Sequence, residues 1–303
     1  MPSGFLPVPN RQLRLPDEVR FDVATSDGRA IRLTRHQAGD KGPVVLAPGY
    51  GTSTLAWTID TVGTNFPEYL AEQGYDIWLL DYRASPVLPA ASTDYTIDDI
   101  ATRDWPAAIA KVRDVSGADS VQVVPHCVGS MSFLMALPAG MQGVRSALCS
   151  QLGLHPVPVL LNRAKAQARL AALMHGVGIE RLTTTFNSAA FEDRALEQVM
   201  RHWPTREKCD SEVCHRILFV YGEVFDHDRL NEATHDAIVH IFGKTRLTAF
   251  RHLSQMIREG HAVGAGGEEA YLPHLDRLAI PITFVHGEDR KSTRLNSSHV
   301  ALS

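Results

Sequence analysis

The chain has 303 residues, 44% hydrophobic and 21% charged, with a formal net charge of -4. That is a globular composition, long enough for one large α/β domain or two small ones. The acidic balance excludes a nucleic-acid footprint, and no apolar run reaches the roughly 18 residues of a membrane span. The start, Met1 to Asn10, lacks a basic segment followed by an apolar one, so no secretory signal is read. Four irregularly spaced cysteines give no disulfide framework, and a reducing cytoplasm is the expected compartment.

Residues 1–17 read as a linker. Val19 to Thr25, the turn Ser26-Asp27-Gly28, and Ala30 to Thr34 predict a hairpin. Pro43 to Ala47 is a fully apolar strand, followed by the Gly-rich loop Pro48-Gly49-Tyr50-Gly51-Thr52-Ser53. Asn65 to Gln73 predicts a helix with Pro67 in its first turn and Gly74 as its stop. Tyr75 to Asp81 is the next strand. Thr96 to Asp99 reads as a capping box opening a helix that runs through Val115. Ser120 to Val124 is a buried strand, Ser130 to Leu137 a helix, and Arg145 to Gln151 a further strand. Strands alternating with helices predict a mostly parallel sheet with helices on both faces.

Over residues 156–271 the alternation stops. Arg163 to His175, Ala195 to His202, Asn231 to Phe242 and Leu247 to Arg258 read as helices, and the stretch is taken as a helical cap between core segments 18–155 and 272–288. Ile280 to Val285 returns to an apolar strand ending in His286-Gly287-Glu288.

Between strand and helix stand Pro125-His126-Cys127-Val128-Gly129. Strand, sharp turn, helix is the setting of a nucleophile elbow, whose pattern is G-x-S-x-G. Here Cys127 holds the nucleophile position and Pro125 that of the first glycine. The backbone N–H of Val128 would open a helix, and with that of Tyr50 it is the expected pair of oxyanion donors. The plain alternatives are a buried, inert Cys127 and a simple tight turn at Gly49 and Gly51; the elbow setting favours chemistry. His126 is expected to pack behind the elbow. Cys149, Cys209 and Cys214 lack such a setting and read as structural, since Cys209, Cys214 and His215 do not make a zinc spacing.

On these residues the chain resembles the α/β-hydrolases. Pro48-Gly49-Tyr50-Gly51 sits where they carry an HGxG-type loop, and Tyr75 to Arg83, Asp98 to Ala107 and the elbow resemble acid-lipase-type hydrolases. The elbow's His-Cys-Val-Gly-Ser and the segment Leu230 to His235 resemble a bacterial hydrolase domain attached to glucose–methanol–choline oxidoreductases of the cholesterol-oxidase type. The resemblance covers about Glu18 to Glu288. It implies the α/β-hydrolase fold, cleavage of an ester or lipid-like acyl substrate by Cys127, no metal or organic cofactor, and an oxidoreductase domain as candidate partner.

In this fold the chain order is nucleophile, acid, histidine. The acid should follow the strand at 280–285 by a few residues; the position in question is Arg290, with Asp289 one residue early as the weak acid candidate. No strand follows that would carry the histidine. Residues 289–303 have no element pattern and closely resemble a translated sequencing-adapter remnant, so His299 is read as coincidental and the native sequence as ending near Glu288. This reading expects a chain with little turnover, its C-terminal strand and helix missing, and an uncovered edge at 280–285. A rival reading takes Ile217 to Tyr221 as the acid-bearing strand, with Asp228 as acid and His286 as base. A second function class is a non-catalytic lipid- or sterol-binding module serving an oxidoreductase.

Overall fold

Continuous apolar runs set the centre of the sheet. In the computed structural model, residues 11–158, 160–176, 180–184, 191–203, 205, 207, 209–286 and 294–295 are described. Strands β1 (Glu18–Ala24) and β2 (Ala30–Gln37) form the expected hairpin, with Gly28 at φ 75° in its turn. Strand β3 (Pro43–Ala47) is buried at every position and leads through helix α1 (Phe66–Glu72) to β4 (Asp76–Asp81), equally buried. Such all-apolar runs belong to parallel strands covered on both faces, whereas the hairpin is half exposed.

The predicted capping box at Thr96 is present, and a second one, not predicted, opens α1. Asn65 accepts from Glu68 N–H while the Glu68 carboxylate accepts from Asn65 N–H. Thr96 and Asp99 do the same at the start of α2 (Ile97–Asp99). That turn continues through a π-helical turn, Ile100–Asp104, into α3 (Trp105–Ser116), which stops at Gly117 with φ 71°. Strand β5 (Val121–Pro125), helix α4 (Val128–Ala136) and strand β6 (Val144–Ser150) follow.

Beyond β6 lie β7 (Pro156–Val157), α5 (Leu160–Gln167), α6 (Leu170–Gly176), β8 (Arg181–Leu182), α7 (Phe191–Arg201), α8 (Glu212–Tyr221), α9 (Glu232–Ile241), β9 (Thr245–Arg246) and α10 (Leu247–Glu259). The helix expected over 163–175 is two, broken at Arg169, which stands at φ 51°. Strand β10 (Ile282–Val285) then pairs in parallel with β6.

Among the described residues the main sheet has seven strands in the order β1-β2-β4-β3-β5-β6-β10. Strands β3 and β5 are neighbours, Ala47 opposite Pro125, so the loop after β3 and the elbow after β5 leave the same end of the sheet side by side. That end is where open α/β sheets bind ligands. Strand β10 stands at the edge, with Val285 48% exposed.

Three expectations are corrected. Ile217 to Tyr221 is not a strand but the second half of α8; a five-residue apolar run fits a buried helix as well as a strand. Here Glu212 in the first turn and Gly222 at φ 91° just past the end decide for the helix. The linker is not free over its described part. Arg11 grips the buried Glu68 with two nitrogens and donates to Val62 O at 2.7 Å, so this segment is docked on α1. In the tail, where no strand is expected, Arg294–Leu295 (β11) pairs antiparallel with β7.

Among the described residues no helix is long and apolar enough to cross a membrane.

Candidate active site

Cys127 is the residue with the most unusual backbone. Its φ of 54° and ψ of -122° lie outside the regions open to L-residues, a strain of about 1–3 kcal/mol. The strain is held by neighbours. Cys127 N–H donates to Ser150 O at 2.9 Å, His126 N–H donates to Ala47 O at 3.0 Å, and Cys127 O accepts from Met131 N–H at 3.0 Å. Gly129 is required by close approach, since a Cβ there would stand 2.5 Å from Pro48 O.

The backbone N–H groups of Tyr50 and Val128, the two expected donors, favour the charged form of the Cys127 thiol. Burial raises the thiol pKa above its ordinary value, and these two donors oppose the rise. A neutral thiol at pH 7 follows, one that needs a base to attack.

Tyr50 is fixed by its own side chain. Its hydroxyl donates to Arg246 O at 2.8 Å and accepts from Tyr95 OH at 3.1 Å, and its ring meets Phe250 edge-on at 5.0 Å. Gly51, at φ 68°, turns the chain where any side chain would strike Tyr221 and Thr245. Arg246 is in turn held by Asp94 and Glu180. The Tyr50 loop thus leans on Glu180 and Arg246 beyond the core.

A cavity of about 160 Å³ opens above Cys127. Its walls are apolar side chains of the cap, among them Leu170, Met174, Leu182, Phe250, Leu253 and Ile257. Lys165 and Glu223 are the charged residues on the lining, and no histidine lies on it among the described residues. Lys165 Nζ donates to Phe219 O at 2.9 Å, and burial lowers its pKa to about 8.

The other candidates lie elsewhere. His126 packs edge-on against Trp57 with Nδ1 3.2 Å from Ser150 Oγ, and burial lowers its pKa to about 4, so it is neutral. Asp228 sits in the short helix His227–Arg229, its N–H on Asp226 Oδ1 at 3.2 Å. His286 follows β10 and is exposed. Neither lines the cavity, and the strand on which their pairing rested does not form. Asp289 and His299 lie outside the described residues.

The three cysteines that read as structural have different surroundings. Cys149 is buried in the sheet, but Cys209 and Cys214 meet His227 and His235 in the cap. The sequence signal was present: four residues between the cysteines, then twelve to His227 and seven to His235. It was obscured by pairing the cysteines with His215, whose ring instead meets Glu197 and Cys209 O.

A parallel sheet edged by an antiparallel hairpin, with a strained elbow after β5 beside a turn after β3, is the α/β-hydrolase fold. Its sequence relatives include several lipases. The lipase lipl-1 of Caenorhabditis elegans is 24% identical over 283 residues, 86% of this chain and 69% of its own. Lipase member K of Homo sapiens is 23% identical with the same shares. The esterase Pf2001 of Pyrococcus furiosus superposes over 53% of this chain and 62% of its own, with a TM-score of 0.39 and 16% identity. No family model matches the chain.

Proposed function

We propose that the chain belongs to an acyl hydrolase that cleaves esters of lipid-like acids, with Cys127 as the nucleophile. The observation that carries this is Cys127, held at a strained strand-to-helix turn beside the loop of Tyr50 and on the lining of an apolar cavity. In the reaction the thiolate adds to the ester carbonyl and the carbonyl oxygen becomes an oxyanion held by the two N–H groups. The alcohol leaves with a proton, and water then cleaves the thioester. The apolar walls fit an acyl chain, in keeping with the lipase names of the relatives.

A base must take the thiol proton, and the burial that raises the Cys127 pKa makes this demand acute. Among the described residues no histidine lines the cavity beside Cys127, and without such a base acylation is slow. Oxyanion hole and binding alone leave a residual rate.

The test is incubation with a 4-nitrophenyl ester of medium chain length, followed by intact-mass measurement. The wild-type chain should gain one acyl group, removed by hydroxylamine, and Cys127→Ala should gain none. Equal acylation of both chains, or none in either while a fluorescent fatty acid still binds, overturns the hydrolase reading and leaves a lipid-binding module.

A further inference from the structure

A second constellation lies in the cap, away from the elbow. Cys209 precedes α8, Cys214 stands in its first turns, His227 opens the short helix after it, and His235 lies on α9. One donor atom from each comes within 4.8 Å of the other three. His235 Nε2 is 3.3 Å from Cys209 Sγ and 3.3 Å from Cys214 Sγ. A tetrahedral zinc ion, with Zn–S near 2.3 Å and Zn–N near 2.0–2.1 Å, sets its donors roughly 3.3–3.8 Å apart.

The surroundings point the donors inward. His227 Nδ1 lies 3.0 Å from Glu207 Oε2, which also accepts the His227 backbone N–H at 3.0 Å. The opposite nitrogen, Nε2, is buried and has no hydrogen-bond partner. His235 Nδ1 faces Asp236 Oδ1 at 3.4 Å. A carboxylate behind each imidazole is the arrangement that orients metal-bound histidines. Ser211 N–H donates to Cys209 Sγ at 3.3 Å, as it would to a thiolate.

We propose that Cys209, Cys214, His227 and His235 bind one zinc ion that fastens the cap. On binding, the two thiols release their protons to solvent and the two neutral imidazoles each give a lone pair; no electron is transferred. Two sulfurs and two nitrogens in a tetrahedron suit zinc, and four protein donors leave no open position, so the ion is structural. It ties the start of α8 to α9. Helix α8 ends at Tyr221 on the cavity lining, and α9 meets the core through Asn231 and Thr234 on Thr61. The metal thereby holds the cavity wall against the sheet.

The test is metal analysis of the full chain, purified under reducing conditions without a histidine tag. About one zinc per chain is expected, in the wild type and in Cys127→Ala alike, so the result is independent of the hydrolase reading. Cys214→Ser and His227→Ala should each lower zinc at least tenfold. A ligand variant that fails to fold also loses metal, so the wild-type chain is also stripped and reloaded with cobalt. Thiolate-to-cobalt charge transfer with tetrahedral d–d bands, and protection of two thiols from a thiol reagent, support the site. A folded wild-type chain that takes up neither metal, or one that binds zinc undiminished in Cys214→Ser, overturns it.

Discussion

The sheet and the cap are held together by different means. Strands β3 and β4 are buried at every position, and Trp78, Leu80, Trp105 and Phe133 share one core. In the cap, α6 buries none of its side chains, and α8 and α10 together supply most of the apolar burial. Polar clusters take over there: His215 on Glu197, His227 on Glu207, and the Cys209–Cys214–His227–His235 group. A layer too thin to exclude water from a broad apolar face relies on cross-links instead. The sheet has a buried ionic cluster too, but it stands on packing: Arg83 reaches Asp104 and Asp27 beneath the hairpin turn.

Breaking that cluster should have the largest effect. Arg83→Met leaves Asp104 buried without its counter-charge and should cost about 3–5 kcal/mol in denaturant unfolding. The deficit should shrink on acidification. Burial already raises the Asp104 pKa to about 6 despite Arg83, and removing the arginine raises it further above the unfolded value. A raised carboxyl pKa removes stability as pH climbs through it and restores it as pH falls. A deficit that is constant from pH 8 to pH 4 would refute this account.

Gly129→Ala comes next. The added methyl meets Pro48 O, so the elbow and the Tyr50 loop must separate. Acylation of Cys127 should fall at least tenfold, about 1.4 kcal/mol or more. Thioester yield against ester concentration checks this.

In the cap, His215→Ala removes the partner of the buried Glu197 and should cost about 1–3 kcal/mol, felt locally. Limited proteolysis should accelerate within 191–222 while the sheet's hydrogen-exchange protection stays unchanged. Global loss of protection would show that cap and sheet unfold as one unit.

A smaller effect concerns the docked N-terminal segment. Arg11, with the N–H groups of Arg14 and Asn65, lowers the Glu68 pKa to about 2. Its contribution is present above the ordinary carboxylate pKa and is lost as pH falls toward 2. Exchange of amides 11–17 should rise over that window, and Glu68→Gln should remove the pH dependence. The smallest effect is at β10, whose exposed edge predicts weak self-association that Val285→Lys relieves, read by sedimentation.

The same contrast governs what could be read in advance. Strands β3, β4 and β5 are legible because an uninterrupted apolar run with turn signals at both ends allows few other fates. The capping pair Thr96–Asp99 marks its helix for the same local reason, as Pro67 and Gly74 mark α1. The turn that carries Cys127 and Val128 is legible because strand, turn and helix are continuous in sequence, and the loop of Tyr50 because it directly follows an apolar strand. In the cap, Ile217 to Tyr221 was misread because five apolar residues satisfy two periods. The metal-ligating group was missed because its members come from a loop, two helices and a turn spread over 209–235. Only the folded chain makes them neighbours.

The loop carrying Tyr50 exchanges backbone hydrogen bonds with the end of α9: Ser53 N–H to Ile241 O at 3.2 Å, and Gly243 N–H to Gly51 O at 3.1 Å. That end of α9 is therefore riveted to the loop that carries Tyr50, and any swing of one drags the other across the face of the elbow.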